Sequence, residues 1–341
     1  MDITPYLKLM VEKNASDLFL TVDSPVKIKL EGNATPVGKT VLTSELTKAA
    51  AYGIMNQKQI SQFEENMECD FAIALADGSA RFRVNVFRQR GEVGLVSRLI
   101  PSQVPTIEQL GVPEILKDLI LAKRGLILMV GATGSGKSTT LAAMLNHRNE
   151  NMAGHILTIE DPVEFSHPNK KSIFNQREVG VDTKSYRNAL RASLREAPDV
   201  ILIGEIRDRE TMEAALELSN TGHLAVSTLH ANNSNQAMER VINLFPQDMH
   251  KQLFMDLSLN IRAVISQRLV LGVDGKRCAA IEILVNTPHI SELILKGDID
   301  ELKVAMAESG QKGMQTFDLA LFNLYKEGRI ELEEALNNAD S

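Results

Sequence analysis

Tryptophan is absent from this chain of 341 residues, and aromatic residues make up only 4% of it. Few side chains are therefore available to stack on the bases of a single-stranded nucleic acid. Basic charge is not in excess either, because the formal net charge is −7, whereas binding to a phosphate backbone depends on clustered lysine and arginine. The composition predicts a protein that has no nucleic-acid partner.

Cysteine and long apolar runs are scarce as well. The two cysteines, Cys69 and Cys278, are far apart in the sequence, which excludes a CxxC zinc site and favours a reducing compartment with both thiols in the core. No run approaches the about 18 unbroken apolar residues of a transmembrane helix. The first residues lack the basic-then-apolar layout of a signal peptide. We therefore expect a cytoplasmic protein without a transmembrane segment and long enough for two domains.

A glycine-rich turn is the most specific motif present. Residues 131–138 read GATGSGKS and lie between the apolar run 125–130 and the helix-forming run 139–145. The spacing G-x-x-x-x-G-K-[ST] is the P-loop signature, in which backbone N–H groups cradle phosphates, Lys137 reaches the β- and γ-phosphates and Ser138 holds Mg²⁺. The alternative is a turn that only reverses the chain direction. The candidate nucleotide-binding residues are Gly131, Ala132, Thr133, Gly134, Ser135, Gly136, Lys137, Ser138 and Thr139.

Residues 1–99 are predicted to form a small α+β domain. Strand-like runs occur at 16–22, 26–30, 70–75, 80–87 and 93–99. The last three alternate apolar and polar residues, and Asp77-Gly78 lies between two of them, which indicates antiparallel hairpins with one solvent-exposed face. Two prolines interrupt the periodicity in Ile100–Pro105, so residues 100–108 are predicted to be a linker.

Residues 109–341 are predicted to form an α/β domain. Near-continuous apolar strands, separated by helices, occur at 125–130, 155–160, 200–204 and 224–229. Such strands imply a parallel sheet that is covered on both faces, with ligands bound beyond the carboxyl ends of the strands. After Pro288 the sequence is helical in character, at 290–295, 299–307, 316–325 and 331–338.

Two acidic blocks follow apolar strands in this second domain. The block ILTIEDPVEF supplies Glu160, Asp161 and Glu164, any of which is placed to orient an attacking water, unless the segment is only a solvated acidic turn. The block DVILIGEIRD has the form of a Walker B strand, with Glu205 where an acidic side chain contacts Mg²⁺ directly or through water. Together with the P-loop, these blocks predict a site that hydrolyses a nucleoside triphosphate.

Histidines and arginines supply further candidates. The block TGHLAVSTLHANN contains His223, which we interpret as structural, and His230, which follows a strand where a neutral imidazole could sense the γ-phosphate. Strands of the first domain are rich in arginine, and their members form either a solvated strand face or arginine fingers that reach a neighbouring subunit's phosphates. These arginines are Arg81, Arg83, Arg88, Arg90 and Arg98.

With the four blocks GATGSGKSTT, TIEDPVEF, PDVILIGEIRD and TGHLAVSTLHAN in this order, the sequence resembles the secretion ATPase superfamily, and within it the PilT/PilU family of type IV pilus retraction (twitching motility) ATPases. The resemblance extends from Asp17 to Asp318. It implies a PAS-like N-terminal domain joined to a RecA-like ATPase domain, assembled as a hexameric ring that binds ATP between subunits.

The resemblance also assigns roles to residues that match the family motifs. Glu164 corresponds to the water-activating carboxylate and Glu205 to the Walker B acid near Mg²⁺. Arg83 and Arg98 fall where the family's arginines approach nucleotide, and His230 corresponds to the histidine-box residue nearest the γ-phosphate. These assignments extend the nucleotide site across two subunits.

Departures from the pattern narrow the choice within the superfamily. The extra N-terminal domain and the tetracysteine zinc insertion of assembly and type II secretion ATPases are absent, which favours retraction. The segment HISELI at 289–294 replaces an AIRNLIRE-like helix, and with the ending at 337–341 it favours the PilU branch. The implied partners are a PilT-like retraction ATPase and a platform protein of the inner membrane, with this chain on the cytoplasmic side of the pilus base.

Three alternatives remain open from the sequence. The first is an accessory nucleotide-binding ring with low turnover, since intact motifs indicate that a protein can hydrolyse ATP but not how fast it does so. The second is a pilus assembly or secretion ATPase, and the third is a DNA-translocating RecA-like ATPase. In the retraction interpretation, residues 100–105 act as a hinge while ATP hydrolysis opens and closes the subunits.

Overall fold

The computed structural model describes all residues, 1–341, and divides into two compact units. The first unit comprises residues 1–103 together with 164–166, and the second comprises residues 104–163 together with 167–341. None of the helices combines the length and the apolar character needed to span a lipid bilayer.

The first unit is an antiparallel sheet of six strands in the order β3-β2-β1-β6-β5-β4, with three helices. Its elements are α1 (Thr4–Lys13), β1 (Asp17–Leu20), β2 (Pro25–Leu30), β3 (Asn33–Val41), α2 (Ser44–Gly53), α3 (Gln57–Asn66), β4 (Glu68–Ala74), β5 (Arg81–Gln89) and β6 (Glu92–Ile100). Phe82, Val84 and Val86 alternate with more exposed residues along β5 and join one hydrophobic core. The predicted hairpins β4-β5 and β5-β6 are confirmed.

Strand β3 has no counterpart among the predicted strands. Its sequence NATPVGKTV contains proline and glycine, which weaken the strand signal, and its residues are almost all exposed. It lies at the edge of the sheet and pairs only with β2. All its residues except Val37 are exposed, so it lacks the alternation of apolar and polar residues that marks a half-buried strand.

The second unit contains a sheet of seven strands in the order β13-β12-β7-β11-β10-β8-β9. Its strands are β7 (Gly125–Val130), β8 (Gly154–Glu160), β9 (Ser172–Glu178), β10 (Val200–Ile203), β11 (Leu224–Leu229), β12 (Ile261–Leu271) and β13 (Arg277–Val285). All but β13 run parallel, which confirms the parallel sheet predicted from the strands at 125–130, 155–160, 200–204 and 224–229. The edge strand β13, which was not predicted, pairs antiparallel with β12. A hairpin needs only a short turn, so an antiparallel edge strand follows β12 directly.

Helices cover both faces of this sheet. They are α4 (Ile107–Leu110), α5 (Ile115–Ile120), α6 (Lys137–Asn151), α7 (Tyr186–Ser193), α8 (Arg209–Asn220), α9 (Ser234–Asn243), α10 (His250–Asn260), α11 (Pro288–Lys296), α12 (Leu302–Glu308), α13 (Phe317–Lys326) and α14 (Leu332–Asn338), with short 3-10 helices at Gln247–Met249 and Ile299–Glu301. Leu126 and Leu128 of β7 face one core, whereas Ile127 and Met129 face another, because successive side chains of a strand point to opposite faces. The strand is therefore buried on both sides, as its apolar sequence predicted.

The predicted core cysteines differ from each other in the structure. Cys69 is buried and free, which confirms the prediction for it, whereas Cys278 is free but partly exposed at the antiparallel edge strand β13. Burial raises the pKa of both thiols, so neither has the character of a reactive thiolate.

Candidate nucleotide-binding site

The P-loop turn follows β7 and is shaped by its glycines. Gly134 and Gly136 have positive φ values of 79° and 83°, a backbone region that favours glycine. A Cβ atom on Gly131 would lie 2.3 Å from Oγ of Ser135, so the turn admits no side chain there. The Ser135 hydroxyl is buried without a hydrogen-bond partner, while the rim residues 132–134 are exposed. An exposed rim around a buried, unsatisfied donor fits a phosphate ligand.

Helix α6 begins at Lys137, directly after the turn. Its 15 residues direct the positive end of the helix dipole toward the turn. The Lys137 side chain is buried, and desolvation lowers its pKa, an effect opposed by the nearby Glu205 carboxylate. Ser138, the next residue, is exposed and offers a hydroxyl oxygen at the first turn of the helix.

Gln267 of β12 braces the P-loop from a distant part of the chain. Its Nε2 donates to the carbonyl oxygen of Ser135 at 2.9 Å, and its Oε1 accepts from the hydroxyl of Thr140 at 2.7 Å. The side chain is buried, and a Cβ atom on Gly136 would lie 2.7 Å from its Nε2. The sequence analysis missed Gln267; the signal available was the polar run Ser266, Gln267 and Arg268 between the apolar segments 263–265 and 269–271 of the strand.

His230 connects the P-loop lysine to the Walker B acid. Its Nδ1 lies 3.4 Å from Nζ of Lys137, and its Nε2 lies 2.9 Å from Oε1 of Glu205. This pattern fits a neutral imidazole that accepts from the ammonium group and donates to the carboxylate. Strands β10 and β11 are neighbours, and β11 also pairs with β7, so the three side chains meet beyond the carboxyl ends of adjacent strands. The structure thus brings together Lys137, Glu205 and His230.

The other carboxylate oxygen of Glu205 belongs to an ion pair. Arg207, which is largely exposed, places both Nε and Nη2 2.7 Å from Oε2 of Glu205. Glu205 therefore accepts hydrogen bonds on both oxygens. Hydroxyl and carboxylate oxygens of the kind offered by Ser138 and Glu205 are the ligands that Mg²⁺ prefers.

Gly204 and Tyr186 fit closely below the Walker B acid. A Cβ atom on Gly204 would lie 2.6 Å from the phenol oxygen of Tyr186 and 3.0 Å from the carbonyl oxygen of Ile159. The carbonyl of Gly204 in turn accepts from the hydroxyl of Thr228 on β11. Burial raises the pKa of Tyr186 to about 12, so the ring stays a neutral wall of the site.

The carboxylates of the aspartate box have different surroundings. Oε2 of Glu160 accepts from the hydroxyl of Thr158 at 2.6 Å and from Nε2 of Gln176 at 3.2 Å. Asp161 is exposed and lines a cavity of about 430 Å³ together with Glu205, Tyr186 and Arg207. Glu164 is exposed and belongs to the first unit, where the N–H of Ser166 donates to the carbonyl of Pro101 at 2.9 Å. The role of Glu164 stays a prediction.

The two singled-out arginines of the first unit lie side by side. Arg83 and Arg98 are directly opposite each other on β5 and β6. Nε of Arg98 lies 3.0 Å from Oδ1 of Asp17, whose side chain is almost fully buried on β1. The hydroxyl of Ser16 donates to the other oxygen of Asp17 at 2.8 Å. Arg98 therefore stabilises a buried carboxylate of its own unit, besides any role toward nucleotide.

The comparisons place this site in a known family. A family model described as type II/IV secretion system protein matches residues 1–328. The chain belongs to this family. Within the type II/IV secretion family, it is 54% identical over 342 residues to the type IV pilus ATPase PilU of Pseudomonas aeruginosa, covering all of this chain and 89% of PilU. It is 44% identical over 339 residues to the type IV pilus retraction ATPase PilT of the same bacterium, covering 99% of this chain and 98% of PilT.

Two solved structures resemble this chain over all or nearly all of its length. The pilus retraction motor PilT with bound ADP superimposes with a TM-score of 0.91 at 40% identity, covering 100% of this chain and 98% of PilT. The ATPase DotB of Legionella pneumophila gives a TM-score of 0.83 at 26% identity, covering 97% and 93% of the two chains. The predicted α/β ATPase fold and the predicted family are therefore confirmed.

A second cavity adjoins the P-loop of this type II/IV secretion family member. It has a volume of about 470 Å³ and reaches from Gly136 and Thr139 to the hairpin of β12 and β13. Its walls combine apolar with basic side chains, among them Val112, Leu269, Lys276, Arg277 and Arg329. None of these residues was predicted from the sequence, because they come from four separate segments without a shared motif.

Proposed function

We propose that this chain is an ATPase motor that powers type IV pilus retraction and twitching motility, as the PilU-like partner of a main retraction ATPase. The observation that supports it most directly is the contact of one imidazole, His230, with both the P-loop lysine and the Walker B glutamate. The greater identity to PilU than to PilT favours the partner role.

In this proposal, the backbone of residues 131–139 binds the phosphates of ATP, with Lys137 at the β- and γ-phosphates. The cavity beside Gly136 accepts the base and ribose. Ser138 and Glu205 hold Mg²⁺, directly or through water, and the ion supplies positive charge that neutralises the phosphate oxygens. Glu164 orients the attacking water, so that ATP and water give ADP and phosphate.

His230 reports the state of the nucleotide in the proposed cycle. A γ-phosphate draws the ammonium group of Lys137 to itself and competes with Nδ1 of His230, since an anion is a stronger partner than a neutral imidazole. The change reaches Glu205 through Nε2 of the same ring. ATP and ADP thereby favour different arrangements of the loop after β11, which is the differential binding that any motor requires.

The mechanical output requires several copies of the chain. We propose a homo-oligomer, most simply a hexameric ring, in which Arg83 and Arg98 of one subunit reach the nucleotide of its neighbour. Residues 1–99 and 109–341 act as two domains, and the linker 100–108 absorbs their rotation. The ring works on the cytoplasmic side of the inner membrane, against a platform protein at the pilus base and beside a PilT-like ATPase.

Phosphate release by the purified protein tests the proposal. The wild type should hydrolyse ATP in the presence of Mg²⁺, and Lys137→Ala should reduce turnover by at least about 100-fold, because the charge that stabilises the transferring phosphoryl group is lost. Equal release by both proteins would refute the motor function. In a piliated bacterium, deletion of the gene should leave excess pili and reduce surface motility, either by itself or only when a paralogue is also disabled. Loss of pili after the deletion would instead indicate a role in pilus assembly.

A further inference from the structure

Arg268 is half-buried, with 23% of its side chain exposed, and makes several contacts that the proposed reaction does not use. It follows Gln267 on β12, and the side chains of successive strand residues point to opposite faces. Its guanidinium group lies 3.8 Å from the ring centre of Phe317, the first residue of α13. One terminal nitrogen, Nη1, donates to the carbonyl of Asn338 at 2.9 Å, and the other, Nη2, lies 2.8 Å from Oδ1 of Asp340.

The same guanidinium group also reaches the loop that contains His230. Nη2 of Arg268 donates to the carbonyl of Asn232 at 3.2 Å, two residues after His230. Immediately beyond, Asn233 caps α9, and the N–H of Ser234 donates to Oε1 of Glu282 at 2.9 Å. The segment from His230 to Ser234 is therefore fixed at Asn232 by Arg268 and at Ser234 by a buried carboxylate.

Glu282 of strand β13 also connects the loop after β11 to another element of the chain. Its other oxygen, Oε2, accepts from the N–H of Phe317 at 3.4 Å, so one buried carboxylate joins the first residues of α9 and α13. Residues 230–234, here called the histidine loop, are thus connected to the C-terminal part of the chain through Arg268 and through Glu282. Glu282 connects the loop to the start of α13, and Arg268 connects it to the C-terminal segment 338–340.

We propose that Arg268 is a positioning residue that holds the histidine loop so that His230 contacts Lys137 and Glu205. Residues 338–340 keep Arg268 in place. The inference rests on the proposed ATPase function. Gln267 and Arg268, adjacent on β12, then divide the support of the site between them: Gln267 fixes the P-loop and Arg268 fixes the histidine loop. Displacement of the C-terminal segment would loosen the histidine loop and leave the P-loop unchanged.

The decisive experiment is a double-mutant cycle on ATP turnover by the full chain. Arg268→Gln should lower kcat about tenfold while the KM for ATP stays within about twofold, because the phosphate cradle is unchanged. Arg268→Lys should recover part of kcat. In a His230→Ala background, Arg268→Gln should cause no further loss, since its effect passes through His230. Arg262→Gln, at an exposed arginine of the same strand, is the control and should match the wild type.

The role of the C-terminal segment 338–340 is tested separately by Asp340→Asn, with Glu333→Gln at an exposed position of α14 as the control. Asp340→Asn should lower kcat in the same direction as Arg268→Gln but by less, because Arg268 retains the Asn338 carbonyl. Amide hydrogen exchange should accelerate at residues 231–234 and not at 135–140 in Arg268→Gln.

Three results would overturn the inference: an additive loss in the double variant, unchanged kcat in His230→Ala, or a rise in KM as the main effect of Arg268→Gln. If Arg268→Gln fails to fold, Arg268→Lys and Asp340→Asn are put through the same cycle. A wild type without turnover, or one matched by Lys137→Ala, would instead refute the proposed function.

Discussion

Nζ of Lys137 lies 3.4 Å from Nδ1 of His230, although the two residues are 93 positions apart in the sequence. The same ring places Nε2 2.9 Å from Glu205. One imidazole therefore links the P-loop, the Walker B strand and the histidine box. Because a single ring makes both contacts, a shift of the ring away from Lys137 also changes its contact with Glu205. In the proposed function, this is how the nucleotide affects the Walker B strand.

Gly204 should tolerate no side chain. In Gly204→Ala the new Cβ atom would lie 2.6 Å from the phenol oxygen of Tyr186, and we expect a loss of about 1 to 3 kcal/mol in the free energy of unfolding, as for other overpacked sites. Urea unfolding of the purified protein measures it. The double variant with Tyr186→Phe should recover part of the loss, since the clashing oxygen is removed. No recovery would mean that the carbonyl of Ile159 sets the limit.

Gln267→Leu should affect both stability and nucleotide binding. It leaves the Ser135 carbonyl and the Thr140 hydroxyl buried without their partner, at a cost of about 1 to 3 kcal/mol in unfolding free energy. The KM for ATP should rise, because the P-loop turn loses its brace. Gln311→Leu, at an exposed position, is the control. A destabilised variant with an unchanged KM would show that the brace is structural only.

His167 should make the stability of the protein depend on pH. Its ring stacks on Phe174 at a centroid distance of 4.2 Å, and burial lowers its pKa from 6.5 to about 4. The unfolded chain binds the proton first as pH falls, so this contribution to stability is complete above pH 6.5 and declines down to about pH 4, by roughly 3 kcal/mol.

Urea unfolding between pH 7 and 4 checks this prediction. His167→Gln should lose less free energy of unfolding over that interval than the wild type, and His289→Gln, at an exposed histidine, should behave as the wild type does. Parallel pH profiles of the wild type and His167→Gln would contradict the assignment.

Arg98 is expected to act on a neighbouring subunit. Glu164→Ala and Arg98→Ala subunits should each be inactive, and mixing them should restore part of the ATP turnover, because some interfaces combine an intact glutamate with an intact arginine. Mixing Glu164→Ala with the double variant must stay inactive. Since Arg98 also pairs with the buried Asp17, the unfolding of Arg98→Ala is measured in parallel. Folded subunits that fail to complement would leave only the structural role.

The motif positions could be predicted, whereas the residues that support them could not. The spacing of glycines before Lys137 is a local pattern, and so is the apolar run that ends at Glu205. Gln267 hydrogen-bonds to Thr140 across 127 positions, and Arg268 meets Asn232 across 36, through a strand order that no local pattern records. The polar residues within β12 interrupt its apolar run, and strand β12 was not predicted for that reason.

The sequence by itself determined the family, the α/β class, the position of the glycine-rich turn before Lys137 and the acidic and histidine residues that follow the central strands. These depend on backbone preferences and side-chain alternation within about ten residues, which the order of amino acids specifies directly. The tertiary structure alone decided which side chains meet: His230 between Lys137 and Glu205, Asp17 beneath Arg98, and the C-terminal segment on Arg268. Those contacts join strands and tails that are distant in sequence, and only the packing of the whole sheet brings their hydrogen-bonding groups within reach.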